Sequence, residues 1–161
     1  MTQARRVKDV MNPDIMTVAD EMTTDELVRY LTEHEISGAP VVDGQGRFVG
    51  VVSMTDIGRH LAEPSDFASE PTSQFYRDPA DDTTLEDLGQ RLVEERVVTV
   101  RDVMTPAVHQ VSATAPVAEA ARIMVEHHIH RLVVTRGHEP VGIITSIDLL
   151  RVLAEQSSGV P

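Results

Sequence analysis

The sequence predicts an α+β fold made of two β-α-β-β-α repeats, and three observations predict it. The stretch Gly50-Val51-Val52-Ser53-Met54-Thr55-Asp56-Ile57 returns as Gly142-Ile143-Ile144-Thr145-Ser146-Ile147-Asp148-Leu149. Each copy is a Gly, two β-branched residues, a hydroxyl residue, two spacers, an Asp and an apolar residue that opens a helix-like run, so the fold is a duplication. The echo extends upstream at an offset of 93: Val7-Lys8-Asp9-Val10-Met11 becomes Val100-Arg101-Asp102-Val103-Met104, and His34-Glu35-Ile36 becomes His127-His128-Ile129. Past the central turn of the repeat the offset falls to 92. Finally, each half has only about sixty residues, too few to bury a comfortable core alone, so the halves must share one.

The elements follow in order. Val7 to Met11 is a short apolar entry closed by a turn, because Pro13 disfavours helix at Asn12. Asp14 to Val18 reads as a brief strand. Thr23-Thr24-Asp25-Glu26 offers a capping box, and Leu27, Val28, Leu31 and His34 recur on one face of a helix ending near Glu35. Ala39 to Val42 and Phe48 to Ser53 are strands joined through Asp43-Gly44-Gln45-Gly46 as a hairpin, and Asp56 to Ala62 is the closing helix. In the second repeat Pro116 occupies a preferred first helical position, and Ala120, Ala121, Met124 and His127 form the expected buried stripe. Leu132 to Thr135 and Val141 to Thr145 form the hairpin, and Ile147 to Ala154 the last helix.

These readings divide the chain into repeat one at 7–62, a connector at 63–98, repeat two at 99–155 and a disordered tail at 156–161. The connector is rich in Pro, Ser and acid as far as Asp82. Thr83-Thr84-Leu85-Glu86 then caps a helix carrying Leu85, Leu88, Leu92 and Val93. Phe67, Phe75 and Tyr76 fall in the connector; anchoring it to the core is the favoured role, and covering a ligand ring the sharper one.

Composition narrows the function. The formal net charge is -12, with 26 acidic against 14 basic residues, which opposes general nucleic-acid binding. Residues 62–98 carry -7 of it, against -4 for 1–61 and -1 for 99–161. With no Cys, thiolate nucleophiles and disulfides are excluded, and a reducing compartment is allowed. No signal-peptide pattern follows Met1 and no run reaches bilayer length, so the expectation is a soluble, cytoplasmic protein with no membrane partner.

Connectivity places the chemistry. A helical crossover makes the first two strands parallel, and the hairpin returns the end of the third to the same sheet edge. That edge collects Asp14 to Thr17, Ser37 to Pro40 and Ser53 to Asp56 in repeat one. In repeat two it collects Ala107 to Gln110, His130 to Val133 and Thr145 to Asp148. Each edge offers backbone amides, a hydroxyl, a carboxylate and a helix start; a carboxylate suits a vicinal diol such as ribose, and a helix start suits an anion. The competing reading is that Ser53-x-x-Asp56 and Thr145-x-x-Asp148 are capping boxes and no more. His127, His128 and His130 invite a metal reading, but no carboxylate or fourth ligand stands at suitable spacing, so no metal is expected. Met11, Met22, Met54, Met104 and Met124 read as core fillers.

The ordered, duplicated set resembles a pair of cystathionine β-synthase (CBS) domains, the Bateman module. It is carried by Asp9-Val10-Met11-x-Pro13, Asp102-Val103-Met104-x-Pro106, Ile36-Ser37-Gly38-Ala39-Pro40-Val41-Val42 and the two Gly-x-x-Ser/Thr-x-x-Asp stretches. The resemblance implies two repeats packed as a pseudo-two-fold pair with clefts between them, and pairing of such modules into a homodimer. It also implies an adenosine-containing ligand, such as AMP, ADP, ATP or S-adenosylmethionine. Asp56 and Asp148 would meet ribose hydroxyls, with Ser53 and Thr145 near ribose or phosphate and Thr55 and Ile147 beside them. The segments around Thr17 and Gln110, Ser37, Gly38, Ala39 and Pro40, and His130, Arg131, Leu132 and Val133 would enclose the base. The His130-Arg131-Leu132-Val133-Val134 run resembles a repeat of the AMP-activated kinase gamma subunit, which implies a phosphate contact by His130 and Arg131. Repeat one has Ser37 and Gly38 there, so the clefts are expected to be unequal.

The function expected is therefore regulatory: a module without catalysis of its own and without a required cofactor, relaying an adenosine ligand to an unidentified protein target. The alternative is a constitutive dimeric interaction scaffold with vestigial clefts. An enzyme built on the histidines has little support, since no nucleophile is paired with a recognisable base.

Overall fold

The structure is a computed structural model that describes residues 4–61, 74–76, 97–106 and 109–158. In chain order the elements are α1 (Val7–Val10), β1 (Val18–Ala19), α2 (Thr24–Glu33), β2 (Gly38–Val42), β3 (Phe48–Ser53) and α3 (Met54–Leu61). After these come a 3-10 turn (Gln74–Tyr76), α4 (Val100–Val103), β4 (Thr105–Pro106), β5 (Gln110–Ser112), α5 (Val117–His127), β6 (Arg131–Arg136), β7 (Glu139–Thr145) and α6 (Ser146–Ser157). The α+β class and the repeated β-α-β-β-α plan stand. The expected connector helix and Phe67 lie outside the described residues.

The chain forms two compact units that do not coincide with the sequence repeats. One is Met16–Ala107; the other is Met1–Ile15 together with Val108–Pro161. Each repeat's entry segment is built into the unit formed by the other repeat. In the first unit the sheet order is β1-β2-β3-β4, with β1 parallel to β2 and the remaining pairs antiparallel. Its fourth strand follows the connector in sequence: Thr105 pairs with Val51 and Pro106 with Gly50. In the second unit β5-β6-β7 repeats the arrangement, and Asn12 bridges Ile143 where Thr105 bridges Val51.

Glycine permits this exchange. A Cβ on Gly50 would come within 2.5 Å of the Thr105 carbonyl oxygen and 3.0 Å of Met104 Sδ; on Gly142 it would meet Met11 Sδ at 2.6 Å and the Asn12 carbonyl oxygen at 2.7 Å. Only a residue without Cβ admits backbone that close. The Met of each Asp-Val-Met entry therefore packs on the glycine that opens the other repeat's signature.

The core of the Met16–Ala107 unit gathers Val18, Leu27, Leu31, Ala39, Val41, Val52, Met54, Ile57, Val100 and Val103, burial that supplies the main stabilisation. Arg101 donates to the buried carboxylate of Asp20, Nε lying 3.2 Å from Oδ2, and so ties α4 to the end of β1. Phe75 and Tyr76 are buried beside β2 and β3 with rings edge-on at 5.3 Å, the anchoring role expected of them. In the other unit Val7, Ala120, Met124, Leu132, Val134, Ile144 and Val152 are buried.

Several boundaries differ from the sequence reading. The apolar entries Val7 to Val10 and Val100 to Val103, given no element type above, are single helical turns, each capped at its start by an Asp at its third position. The strand expected over Asp14 to Val18 shrinks to Val18–Ala19, the residues that pair with Val41 and Val42. Both closing helices start earlier than expected, at Met54 and Ser146, because Ser53 and Thr145 are their caps and the Asp residues their third positions. The last helix continues through Gln156 to Ser157, residues assigned above to a tail. Pro116 is a cap in extended conformation, one position before the first helical residue, where Val117 donates to the Arg5 carbonyl at 3.0 Å. His127 is exposed rather than part of the buried stripe, while Ala120 and Met124 keep their places in it.

Candidate functional site

Each unit assembles one candidate site at the sheet edge where its closing helix starts. In the Met16–Ala107 unit, Gly38 pairs with Ser53 across β2 and β3, and Met54 donates its amide to the Ser37 carbonyl at 3.0 Å. Val18 pairs with Val41, so Thr17 lies level with Pro40. In the other unit Arg131 pairs with Thr145, Gln110 with Val133, and Ser146 donates to the His130 carbonyl at 2.9 Å. The three segments expected to converge at each edge do so as far as the described residues extend.

The hydroxyl and carboxylate form reciprocal caps. Asp148 Oδ2 accepts from the Thr145 amide at 2.9 Å and its hydroxyl at 3.0 Å, while the Asp148 amide lies 3.3 Å from Thr145 Oγ1. Asp56 Oδ2 accepts from the Ser53 amide at 2.8 Å and hydroxyl at 3.1 Å, and the Asp56 amide lies 3.3 Å from Ser53 Oγ. The capping geometry is therefore real, and it occupies the same carboxylate oxygen in both copies. Oδ1 in each copy faces an arginine one turn along, Arg59 at 3.9 Å and Arg151 at 3.5 Å. Those arginines are 92 residues apart, so Asp-x-x-Arg extends the repeat and was visible in the sequence.

The edges differ in access and charge. The Asp148 side chain is 16% exposed, the Asp56 side chain 2%. His130 and Gln110 are exposed and Arg131 half-buried, whereas at the other edge Ser37 is exposed and Gly38 and Thr17 half-buried. A Cβ at Gly38 would lie 2.7 Å from the Val52 carbonyl oxygen, so the place of Arg131 is taken there by a residue pressed onto β3. Ala39, Pro40, Leu132 and Val133 are buried strand residues; Thr55 is half-buried and Ile147 is 61% exposed in the first helical turns. Among the described residues no group of three or more His, Asp and Glu side chains could hold a metal ion, and no helix is long and apolar enough to cross a membrane.

The sequence reading passed over His109. It precedes β5, and its ring centroid lies 4.6 Å from that of His127 at the end of α5. Burial, and then the neighbouring His127, hold its pKa below the usual 6.5. Its counterpart 93 residues earlier is Met16, so the repeat offered no signal for it.

Two five-element repeats, entry segments exchanged between them, and a capped Asp at each sheet edge define the protein class. The CBS domain family model matches residues 7–63 and 100–155, and the chain belongs to that family. It is 30% identical over 159 residues to MJ1426, an uncharacterised protein of Methanocaldococcus jannaschii, covering 91% of this chain and 90% of that one. It is similar to the CBS domain of a CBS domain containing membrane protein from Sphaerobacter thermophilus, with 31% identity, a TM-score of 0.65 and coverage of 92% and 87% of the two chains. The structure of CBSX2, a CBS-pair protein of Arabidopsis thaliana, in complex with AMP matches with 27% identity and a TM-score of 0.64, over 94% of this chain and 98% of that one.

Proposed function

We propose that this chain is a regulatory module that binds an adenosine-containing small molecule at its helix-start edges and relays that binding to a protein target, without catalysis of its own. The observation that carries the reading is the twice-built edge, in which a hydroxyl, a carboxylate and a helix start converge on one place. The AMP complex of CBSX2 supports the ligand class. The edge of Thr145 and Asp148 is the principal site. Asp148 is the more exposed carboxylate, with Oδ1 outside the cap for a ribose diol, and at the start of β6 Arg131 supplies positive charge and His130 a hydrogen-bonding ring for phosphate, whereas Asp56 is enclosed. Thr55 and Ile147 border the two sites, and Thr17 and Gln110 flank the base. Ligand acts by favouring whichever arrangement of the chain binds it more tightly.

The same reading includes pairing of two copies. Ile147, Leu150 and Leu153 form an apolar stripe along α6, 57% to 61% exposed, at helical spacing. A two-fold pairing centred on Leu150 sets Ile147 of one copy against Leu153 of the other, the self-complementary arrangement that an isologous contact needs. The enclosure of Asp56 favours a scaffold role for the edge that contains it.

Thermal unfolding of ligand-stripped protein against AMP, ADP, ATP, S-adenosylmethionine, NAD and cyclic di-AMP tests the proposal. A ligand at about 100 times its dissociation constant stabilises by roughly 2.7 kcal/mol. A shift from one compound, abolished in Asp148→Ala and reduced in Arg131→Ala, is the expected result. No shift from any compound leaves the constitutive scaffold as the function.

A further inference from the structure

The two entry segments are finished differently at the same place in the fold. In the Met16–Ala107 unit Arg101 donates its amide to the Asp20 carbonyl at 3.0 Å, and its guanidinium pairs with the buried Asp20 carboxylate. In the other unit the matching residues, each 93 positions away, are Lys8 and Ala113, and Lys8 donates its amide to the Ala113 carbonyl at 2.9 Å. Ala113 has no carboxylate to offer. Among the described residues the Lys8 ammonium has no hydrogen-bond or ion-pair partner, and Lys8 is the only lysine of the sequence.

A cleft of about 720 Å³ opens at this entry, lined by Ala4, Arg5, Arg6, Lys8 and Asp9 among the described residues. Arg5 is held by Glu155 through Nη1, and Arg6 donates from Nη1 to the Thr114 carbonyl at 3.0 Å. One nitrogen of each guanidinium fixes its place, and the others remain as donors. Asp9 is committed to the backbone, its Oδ2 accepting from the Arg6 amide at 3.0 Å. The second repeat has Val98 and Thr99 where Arg5 and Arg6 stand, so the cluster belongs to this entry alone. Three cations against one carboxylate thus line a cleft in a chain of net charge -12. Like charges gathered this way repel one another, and a multivalent oxyanion relieves the repulsion. The cleft is separate from the Asp148 edge: β5 starts at Gln110, on the side of Thr145, whereas Ala113 and Thr114, which Lys8 and Arg6 meet, lie past its other end. At about 3.3 Å per residue, Gln110 and Ala113 are about 10 Å apart along the strand.

We propose that Arg5, Arg6 and Lys8 form an anion site distinct from the Asp148 edge, which takes a phosphate or pyrophosphate group, free or at the end of a larger molecule. Arginine forks and a lysine point charge are the side chains that hold phosphate, and the cleft has room for more than a single ion. The inference does not rest on adenosine binding at the Asp148 edge.

Amide NMR shifts of the isotope-labelled full chain, titrated with inorganic pyrophosphate and separately with ATP, test this, with sodium chloride holding the ionic strength constant so that general screening cancels. The expected result is a saturable shift at Arg5 to Asp9, binding about tenfold weaker in Lys8→Gln, and binding retained in Lys8→Arg. Ala113→Asp, which gives Lys8 the partner that Asp20 gives Arg101, should weaken binding likewise; should a carboxylate at that buried position unfold the chain, Lys8→Gln, at an exposed position, still decides. Saturation by pyrophosphate alone marks a free anion, and saturation by ATP as well marks the phosphate end of a larger molecule. A response that chloride reproduces, or one of equal affinity in the parent and in Lys8→Gln, overturns the proposal. Amides of Arg131 and Thr145 report the adenosine edge separately. ATP that moves those amides while neither ligand moves residues 5–9 overturns this inference and leaves the adenosine reading intact; saturation at residues 5–9 with an unmoved Arg131 edge does the reverse.

Discussion

Asp148 accepts the two hydrogen bonds that Thr145 donates through a single oxygen, Oδ2, at 2.9 and 3.0 Å. Helix capping and the proposed ligand contact therefore use different atoms of the carboxylate, because the cap leaves Oδ1 with Arg151 alone, at the long distance of 3.5 Å. Replacing Asp148 with Ala should cost about 1 kcal/mol of stability through the lost cap. It should weaken adenosine-ligand binding by about tenfold or more, the scale of a lost charged hydrogen bond. Calorimetric titration together with urea denaturation checks both; an unaltered affinity would leave Asp148 a cap alone.

Gly142 faces Met11 and Asn12 so closely that a methyl group has no room. Gly142→Ala should destabilise the protein by about 1 to 3 kcal/mol, the usual range for overpacking. Shortening the flexible neighbour, in a Met11→Ala Gly142→Ala double variant, should recover only part of the loss, because the Asn12 carbonyl oxygen is backbone. Denaturant midpoints compare the three proteins.

Leu150 is the centre of the exposed stripe on α6. In the pairing proposed above, Leu150→Glu should raise the dissociation constant by on the order of a hundredfold or less, the loss of one central apolar contact, with little effect on unfolding of the isolated chain. Light scattering coupled to gel filtration reads the mass; a variant as dimeric as the parent would move the interface elsewhere.

His109 has a pKa below the usual 6.5, pushed down first by burial and then by His127. The folded chain thus binds fewer protons than the unfolded chain in the window beneath 6.5. Stability should fall as the pH drops through that value toward the depressed midpoint, and level off below it. His109→Gln should flatten this part of the curve. Melting temperatures at about pH 7.5 and about pH 5.5 give the comparison.

Much of the fold was legible because duplication doubles every signal. The Thr23 cap, the hairpins and the twin Asp positions all follow local rules that act within a few residues, and Thr23 Oγ1 does accept from the Glu26 amide at 3.2 Å. The errors fall where a local rule was overridden. The closing helices were expected to open at Asp56 and at Ile147, yet the hydroxyl residue three positions before each Asp captures the Asp amide and moves the starts back to Met54 and Ser146. His127 kept the helical spacing of a core residue but sits at the last turn, where a side chain can swing out to meet another ring.

The amino-acid order by itself determined the duplication, the element types and the Ser53–Asp56 and Thr145–Asp148 pairs, since each depends on periodicity or on contacts three residues apart. Only the tertiary structure decided that Met11 belongs against Gly142 and Met104 against Gly50, that Asp148 is more open than Asp56, and that His109 meets His127. Those relationships join residues far apart in the chain, and their physical origin is how closely backbones can approach and which side chains packing leaves open to water.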